Sequence, residues 1–521
     1  MNNREVDNKA LWAIVAVGFL VRLYAYYHAY VINPDGVYYL YQAKAVSLGM
    51  WDKAMLCGYP FISIYSVLIA LFYKMSGDWI TAAKSVSLFF GVITIIPLYF
   101  LMKRFLTYGA VVVTTLIFAV NPVMVESSVI LIKGPIFWFC SVLGFLVFTK
   151  ALDSERSSLY VLSSVIFCLA VLARAEAVIL FAGSLIYLVL RPGRTFRGVL
   201  VFSFPLLAVM IVSLGSMLIT QGEHSLWSSY VQPRIATLSD NVIQNPFDNP
   251  MTQKLHQMHE EGVTDIKPGF FKHVQRMLWW LGVGMLFKNI INAFYLPFYI
   301  FFLIGYIGYM RSDKRDPLHA YYFLLVALTT VFVYWFVLNA WFVERRHIAV
   351  ILLPSFIFIG LGVQRVIAYL HSKGVQEKIV IPLLCVSVLL VALPENLEST
   401  DPHLSGYKEI GHLIAASNPD RPALVAASSS RVIAYATIES PGLICPVSVI
   451  DYVSLTKMTY VELMVLLRSS KVDYFLWEQE QWQRALYDFS NTAKAQDFAE
   501  KGRWQIEGAG ILVDQVSCNL E

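Results

Sequence analysis

The sequence predicts a polytopic α-helical membrane protein that ends in a small soluble domain. Hydrophobic residues make up 57% of the 521 residues and charged residues only 15%, and the mean hydropathy is +0.59. A soluble domain of ordinary composition carries about 25% charged residues. The formal net charge of +4 is small and gives no indication of nucleic-acid binding. The composition therefore indicates an integral membrane protein.

Apolar runs near the length of about 20 residues needed to cross a bilayer recur along the chain. About eleven such spans are predicted, at residues 10–31, 79–101, 109–124, 134–150, 158–173, 175–190, 198–220, 290–310, 319–341, 347–370 and 379–394. The first run is too long for a signal peptide and lacks a small-residue cleavage site, so we interpret it as a signal anchor.

Positive charges alternate between the loops. Every second short loop is basic, and the N-terminus is basic too: Arg4 and Lys9; Lys103 and Arg104; Lys150 and Arg156; Arg191, Arg194 and Arg197; Arg311, Lys314 and Arg315; Lys373 and Lys378. The positive-inside rule places these loops in the cytoplasm. An odd number of spans then predicts a cytoplasmic N-terminus and an external C-terminal tail.

Three external segments follow from this topology: loop 32–78, loop 221–278 and the tail 395–521. The first loop contains two amphipathic pieces, 37–49 and 59–77, and the second piece is typical of an interfacial helix. In the tail, "PALVAASSSRVIAYA" predicts a strand and then a helix, while "KVDYFLWE" and "GAGILVDQV" predict strands. We therefore expect a transmembrane domain over 1–394 and a small external α/β domain over 395–521.

Few residues indicate a metal or redox site. Cys445 and Cys518 are candidates for a disulfide in an oxidising compartment. The pair His256 and His259, with Glu260 beside it, has helical ligand spacing, but no third ligand is evident in this loop. The chain has no Gly-rich phosphate loop, no Ser-His-Asp signature and no internal repeat. The missing repeat argues against inverted-repeat transporters.

The candidate site residues are ionisable side chains predicted near the external membrane face, where they are costly and hence functional candidates. They are Asp35, Lys84, Glu126, Lys133, Arg174, Glu176, Glu344, Arg345, Arg346 and His347. The positive-inside rule disfavours Lys and Arg on the external side, so the predicted location of these Lys and Arg residues needs an explanation. An anionic ligand at the outer leaflet supplies one, because Arg and Lys bind phosphate oxygens through charge-assisted hydrogen bonds.

Structural alternatives exist for these residues. Arg174 and Glu176 could pair with each other, and Lys133 could snorkel to lipid phosphates. The run from Glu344 to His347 could be a solvated loop. Asp35 in "NPDG" could cap a helix that starts near Val37, a role compatible with catalysis.

Several segments together resemble the GT-C superfamily of polyprenyl-phosphate-sugar-dependent glycosyltransferases. Its similar members are bacterial dolichyl-phosphate-mannose protein mannosyltransferase-like and aminoarabinose lipid A transferase-like proteins. "PDGVYYLYQAKAVSLG" resembles the acidic segment of their first external loop, and the run from "YPFISIYSVL" to "LYFLMKRF" resembles their interfacial helix and second span. "NPVMVESSVILIKGPIFWF", "LARAEAVILF" and "RRHIAVILLP" resemble three later segments. The likeness covers residues 1–190 well and the remainder by topology.

This chain departs from the family pattern at three positions. Lys84 stands where an Arg is usual, Gly36 stands where a second acid often follows the loop Asp, and Gly134 stands where a loop Asp is typical. A carboxylate site that holds a divalent metal is therefore doubtful, and no cofactor is certain.

The resemblance implies transfer of a sugar from a polyprenyl-phosphate donor to an acceptor hydroxyl, with inversion, at the outer face of a bacterial inner membrane. Asp35 would be the base and Glu126 a weaker acid; Lys84, Arg345 and Arg346 would bind the donor phosphate, and Lys133, Arg174 and His347 are weaker phosphate candidates. The acceptor could be a lipid, a glycan or a protein; besides donor and acceptor, membrane lipids are the expected partners and nucleic acid is not. Two other interpretations compete: a transporter or flippase of lipid-linked sugars, and a non-catalytic scaffold in which the tail binds a partner.

Overall fold

The computed structural model describes most of the chain as helix. The residues described are 3–57, 59, 61–191, 196–219, 232, 253, 255, 257, 268–312, 316–340, 343–399, 404–427, 429–440, 445, 458–478, 497–506 and 509–516. The predicted His256, His259, Glu260, Arg194 and Cys518, and most of loop 221–278, lie outside them.

The helices of the N-terminal three-quarters follow one another with short connections. They are α1 Asn3–His28, α2 Pro34–Ser47, α3 Trp51–Ala54, α4 Ile64–Ser76, α5 Trp79–Ile93, α6 Ile95–Met102, α7 Tyr108–Val120, α8 Pro122–Ser127, α9 Gly134–Ser154, α10 Ser157–Ala173, α11 Val178–Leu190, α12 Phe196–Ile219, α13 Pro268–Phe294, α14 Leu296–Met310, α15 Pro317–Ala340, α16 Arg345–Ser372 and α17 Glu377–Leu397. A 3₁₀ turn, Ala175–Ala177, separates α10 from α11 at the predicted "ARAEA" break.

Among the described residues, seven helices are long and apolar enough to cross a membrane. They are Asn8–His28, Trp79–Met102, Gly134–Ser154, Arg276–Phe294, Pro317–Ala340, Arg345–Ser372 and Glu377–Leu397. Six of them coincide with predicted spans, and the five remaining predicted spans coincide with shorter apolar helices. The polytopic helical class is confirmed, while the number of spans and their orientation stay predictions.

Three predicted boundaries are wrong. The run 290–310 is divided between α13 and α14, because Tyr295 adopts a φ of 65° that a helix cannot continue through. The helical part of the segment before it begins at Pro268, inside the predicted loop 221–278. The run 109–124 ends as a helix at Val120, because Asn121 accepts from the Met124 N–H at 3.2 Å and starts α8 afresh before Pro122.

Glycines set the close packing of α14 on α16. A Cβ at Gly305 would overlap the carbonyl oxygen of Phe358, and one at Gly362 would overlap that of Phe301. Only glycine lets the two backbones approach so closely, as is common at helix interfaces in membranes.

The chain divides into two compact units. Unit 1 comprises residues 1–23, 87–128 and 133–397, and unit 2 comprises residues 24–86, 129–132 and 398–521. Unit 2 thus combines the C-terminal tail with the loop 32–78.

The tail within unit 2 is a small α/β domain. Its elements are α18 Ser405–Ser417, β1 Val425–Ala426, α19 Ser430–Thr437, α20 Tyr460–Ser469, β2 Tyr474–Glu478, β3 Phe498–Ile506 and β4 Ala509–Val516. The sheet has the order β1-β2-β4-β3, with β1 parallel to β2 and the other pairs antiparallel. The three predicted strands and the helix after the first are confirmed; β3 is additional.

Buried apolar residues join the tail helices to the sheet. Ile410 and Ile414 of α18 pack with Val432 of α19 and with Tyr474 and Leu476 of β2. All five residues of β2 are buried, including Glu478, which accepts a hydrogen bond from the Tyr407 hydroxyl at 3.0 Å. Both faces of this strand are therefore covered.

The loop 32–78 is hydrogen-bonded to this tail domain. Lys44 of α2 donates to the carbonyls of Ile438 and Ser440, both at 2.7 Å. Arg431 donates to the carbonyl of Ile32 at 3.0 Å, and the Ile32 N–H donates to the Tyr435 hydroxyl at 2.9 Å. These bonds connect residues almost 400 positions apart and make loop and tail one unit.

A disulfide also joins loop and tail, and it corrects a prediction. Cys445 pairs with Cys57, across 388 residues, and not with Cys518. Residue 445 follows α19 closely in sequence, and α19 packs on α2. The tertiary contact between loop and tail thus decides the pairing, which sequence spacing cannot show.

The amphipathic pieces of the first loop are helices, as predicted. α2 spans 34–47 and α4 spans 64–76. At 1.5 Å per residue, the 13 residues of α4 extend about 20 Å, less than the ~30 Å hydrocarbon core. Its length therefore agrees with a helix that does not cross.

Candidate functional site

Several candidate residues meet at one end of unit 1, which we name the Glu126 end. Glu126 lies in α8, and its carboxylate is 3.5 Å from the guanidinium of Arg345, the first residue of α16. Both side chains are about half exposed, at 42% and 54%. An exposed ion pair of this kind contributes little to stability, so either partner can be exchanged for a ligand at low cost.

The residues around Arg345 cap α16. Glu344 is the N-cap, and a capping box links its side chain to the His347 backbone and the His347 ring to the Glu344 backbone. The Nδ1 atom of His347 accepts from the Glu344 N–H at 3.2 Å. Arg346 forms an ion pair with Glu344. His347 thus serves helix capping through its Nδ1 atom.

Arg174 and Glu176 form the structural pair that the sequence left as an alternative. Arg174 is 92% buried at its side chain, ends α10, and binds Glu176 at 2.6 Å. His347 is close enough to act electrostatically on the Glu176 carboxylate. This electrostatic proximity puts the α10–α11 turn at the Glu126 end.

Lys133 is the N-cap residue of α9. α9 and α10 pack as an antiparallel pair, with Ser163 donating to the Gly144 carbonyl at 3.1 Å, so Lys133 lies at the same end as Arg174. A cation is unfavourable at the positive end of a helix. The combination of helix N-terminus and ammonium favours an anion there.

Arg22 is a buried residue of unit 1 that the sequence analysis passed over. Its side chain is fully buried in α1 and donates to Ser128 Oγ at 3.1 Å and to the carbonyls of Ala119 at 2.5 Å and Gly18 at 3.1 Å. A Cβ at Gly91 would overlap Ser128 Oγ, so Gly91 makes room for this contact. A charge inside the apolar run "VGFLVRLYAYY" was the signal that could have found it.

Arg22 brackets the segment that carries Glu126. Ala119 is in the last turn of α7 and Ser128 follows α8 directly, so the guanidinium binds both sides of the short helix. Its Nη2 has no hydrogen-bond partner among the described residues. Arg22 is therefore a positioning residue for α8.

In unit 2, Asp35 lies in the first turn of α2. The helix begins at Pro34 and its N-cap is Asn33, so Asp35 is not the cap and the expected start near Val37 is wrong. The Asp35 side chain is half-buried. A carboxylate in the first turn of a helix is stabilised by the positive end of the helix dipole.

Asn33 fixes the start of α2 to the segment 129–132. Its amide donates to the Leu131 carbonyl at 3.2 Å and accepts from the Leu131 N–H at 2.8 Å. A Cβ at Gly36 would lie 2.6 Å from the Leu131 Cβ. This contact leaves no room for an acidic side chain at residue 36. It accounts for the glycine at the position where the resembled family often has a second acid.

Lys84 has structural partners in unit 2. Its ammonium donates to the carbonyls of Ala29 at 2.7 Å and Tyr26 at 3.4 Å, and it lies 5.2 Å from the centre of the Tyr26 ring. It therefore satisfies carbonyls at the end of α1. The ammonium of Lys408 in α18 is close enough to repel that of Lys84, while the Asp78 carboxylate acts on it in the opposite direction.

Burial shifts the pKa of groups where loop and tail meet in unit 2. Burial lowers the pKa of Lys44, while the nearby Glu439 carboxylate acts in the opposite direction. Burial raises the pKa of the Tyr435 hydroxyl to about 12. Both groups are hydrogen-bonded to partners across this contact, as buried polar groups generally are.

No metal cluster is present in the part of the chain that the structure describes. Among those residues, no group of three or more His, Cys, Asp or Glu side chains is arranged to hold a metal ion. We derive no step through a metal.

The chain is similar to known glycosyltransferases of membranes. The profile of the dolichyl-phosphate-mannose-protein mannosyltransferase family matches residues 63–217, less than a third of the chain. No curated protein matches.

Solved structures share the fold at low sequence identity. The ArnT protein of Cupriavidus metallidurans bound to undecaprenyl phosphate matches with a TM-score of 0.60 and 12% identity, over 96% of this chain and 97% of that one. An oligosaccharyltransferase of Archaeoglobus fulgidus tethered to an acceptor peptide matches with a TM-score of 0.59 and 11% identity, over 92% of this chain and 70% of that one. A structure of the AglB oligosaccharyltransferase from the same organism holds an inhibitory peptide and a dolichol-phosphate. It matches with a TM-score of 0.52 and 11% identity, over 98% of this chain and 74% of that one. These matches confirm the GT-C resemblance that the sequence motifs indicate.

Proposed function

Because the chain has the fold of the GT-C glycosyltransferases, we propose that it transfers a sugar from a polyprenyl-phosphate donor to an acceptor hydroxyl. Two structural neighbours are described with undecaprenyl phosphate and with dolichol-phosphate. The observation that carries the proposal is the gathering of Arg174, Arg345, Arg346 and His347 at the Glu126 end. Basic groups at helix ends on one side of a membrane bundle suit a lipid-linked phosphate.

The donor phosphate is bound mainly by Arg345 and Arg346, with Lys84 as a further ligand. Arg345 is the best placed of the unit 1 cations, because its pair with Glu126 is long and half exposed. Arg174 is weaker, since its bond to Glu176 is short and buried. Lys133 and His347 remain secondary candidates. These cations offset the charge that develops on the departing phosphate.

Asp35 acts as the base. A polyprenyl phosphate is already a good leaving group, so the transfer needs a positioned acceptor and removal of one proton from its hydroxyl. One carboxylate can do this, and it suits a direct displacement with inversion. Glu126 is the weaker acid candidate, because Arg345 pairs with it.

We place the reaction at the outer face of a bacterial inner membrane. The basic loops support this orientation. The Cys57–Cys445 disulfide supports it independently, since disulfides persist in oxidising compartments and this one joins the first loop to the tail.

The first test is transfer by the purified full chain in lipid nanodiscs, with a panel of radiolabelled polyprenyl-phosphate sugars and envelope extracts, each with and without EDTA. Asp35→Asn should lower turnover by about two to four orders of magnitude, the usual span for loss of a general base, with donor binding retained. Asp52→Asn is the matched control, because Asp52 is an exposed acid in the first turn of α3 in the same loop.

Two outcomes would contradict the proposal. Transfer by Asp35→Asn at close to the wild-type rate ends the catalytic role of Asp35. Movement of lipid-linked sugar across vesicles without any new glycosidic bond would instead favour the transporter interpretation.

A further inference from the structure

A groove lies on unit 1 far from the Glu126 end. It has a volume of about 600 Å³ and is lined by Ile300, Leu303, Ile304, Ile307, Gly308, Arg311 and Arg365. The aliphatic members follow one face of α14 at helical spacing. The run from 300 to 307 extends about 10 Å along the helix axis. One end of the groove is thus apolar and the other carries two guanidinium groups.

The groove is placed at the opposite leaflet by the length of α16. Arg345 begins this helix at the Glu126 end, and Arg365 comes 20 residues later. At 1.5 Å per residue these positions are about 30 Å apart, the thickness of the hydrocarbon core. Arg365 and Arg311 therefore lie at the headgroup level of the other leaflet, which the basic loops assign to the cytoplasm.

The apolar wall of the groove is open to lipid. Ile300 is 52% exposed, Ile307 44% and Ile304 37%. Aliphatic side chains this exposed on a membrane helix contact acyl chains.

The basic end is shaped around a glycine. Arg365 donates to the Ile304 carbonyl at 3.1 Å. Its guanidinium lies so close to Gly308 that a Cβ there would overlap it. The guanidinium is thereby held over α14 beside the groove, and Arg311 follows the end of the same helix.

We propose that this groove binds an anionic phospholipid of the leaflet opposite the Glu126 end. The phosphate lies between Arg311 and Arg365, and one acyl chain lies along Ile300, Ile304 and Ile307. Basic pockets between membrane helices on the cytoplasmic side suit anionic headgroups, and guanidinium binds phosphate in a bidentate manner. None of the seven lining residues is acidic, which favours an anionic headgroup over a zwitterionic one. This site is separate from the proposed transfer reaction and does not rest on it.

The experiment titrates the full-length protein in neutral detergent with phosphatidylglycerol or phosphatidylcholine of equal chain length, and reads lipid retention by native mass spectrometry. A thermal unfolding series with and without lipid accompanies it. Phosphatidylglycerol should bind more tightly than phosphatidylcholine. Replacing Arg311 and Arg365 together by Gln should weaken phosphatidylglycerol binding about tenfold or more, where tenfold corresponds to about 1.4 kcal/mol.

Gly308→Ala is the sharper variant. It keeps both charges and displaces the flexible end of Arg365, because the three atoms nearest to the added Cβ all belong to that guanidinium. It should weaken phosphatidylglycerol binding while the unfolding midpoint without lipid stays at the wild-type value. Lys373→Gln is the control, since Lys373 is the C-cap residue of α16, the helix of Arg365, and does not line the groove.

Three results would overturn the proposal. The first is equal affinity for the two phospholipids, and the second is unchanged phosphatidylglycerol affinity in the Arg311 and Arg365 double variant. The third is that inorganic phosphate raises the unfolding midpoint as much as phosphatidylglycerol does. A preference for polyprenyl phosphate over phosphatidylglycerol would likewise refute the assigned ligand.

Discussion

Arg345, the first residue of α16, lies 3.5 Å from Glu126 in α8, and both side chains remain about half exposed. The pair joins two segments that are more than 200 residues apart in sequence. Its length and exposure mean that it contributes little to stability. A cation held in this way is available to a phosphate without large reorganisation.

Replacing Arg345 and Arg346 together by Gln should weaken donor binding by about 10- to 100-fold, the range expected for losing charge-assisted hydrogen bonds. The unfolding midpoint should change little, because the pair with Glu126 is about half exposed and the pair with Glu344 is partly exposed. Binding is measured with a labelled polyprenyl phosphate. Arg156→Gln, at the opposite end of α10, serves as control; unchanged donor affinity in the double variant would move the phosphate site to Lys84.

Arg22→Met should destabilise unit 1 by more than Ser128→Ala does. The Met variant removes the three hydrogen bonds that Arg22 donates, to Gly18, Ala119 and Ser128. Ser128→Ala removes two bonds of about 1 kcal/mol each, the one from Arg22 and the one that Ser128 donates to the Met124 carbonyl. Thermal unfolding of the two single variants and the double variant gives their coupling, expected at about 0.5–3 kcal/mol for residues in contact. Strictly additive effects would show that Arg22 does not hold α8 through Ser128.

Gly36→Ala should destabilise unit 2 by about 1–3 kcal/mol, the usual cost of overpacking, because its Cβ would lie 2.6 Å from that of Leu131. Leu131→Ala leaves that Cβ in place but frees the rest of the side chain, which lets the segment shift. The double variant should therefore recover part of the loss in the unfolding midpoint. Wild-type stability of Gly36→Ala would argue against steric exclusion of an acid at this position.

Cys57→Ser and Cys445→Ser should each destabilise unit 2 by about 2–5 kcal/mol, since either one opens the same cross-link between loop and tail. The double variant should lose no more than either single one. Unfolding midpoints with and without reductant measure the effect, and reductant should not affect the variants. Cys385→Ser is the control, because Cys385 is a free thiol. A reductant-insensitive wild type would contradict the bond.

Local patterns in the sequence sufficed for the membrane class, for most helices and for the list of candidate residues. Apolar length, basic loops and the strand pattern of "KVDYFLWE" are properties of short segments, so each could be interpreted without the others. The pairing of Arg174 with Glu176 was also within reach, because the two residues are neighbours on one turn.

Contacts between distant segments were decided only by the tertiary structure. Three features join segments 95 or more residues apart: the disulfide partner of Cys445, the clash of a side chain at Gly36 with Leu131, and the bonds of Arg22 around α8. The sequence named Glu126 and Arg345 separately, but no local pattern could pair them. Burial and steric exclusion depend on which surfaces meet when the chain packs, and that information is distributed over the whole chain.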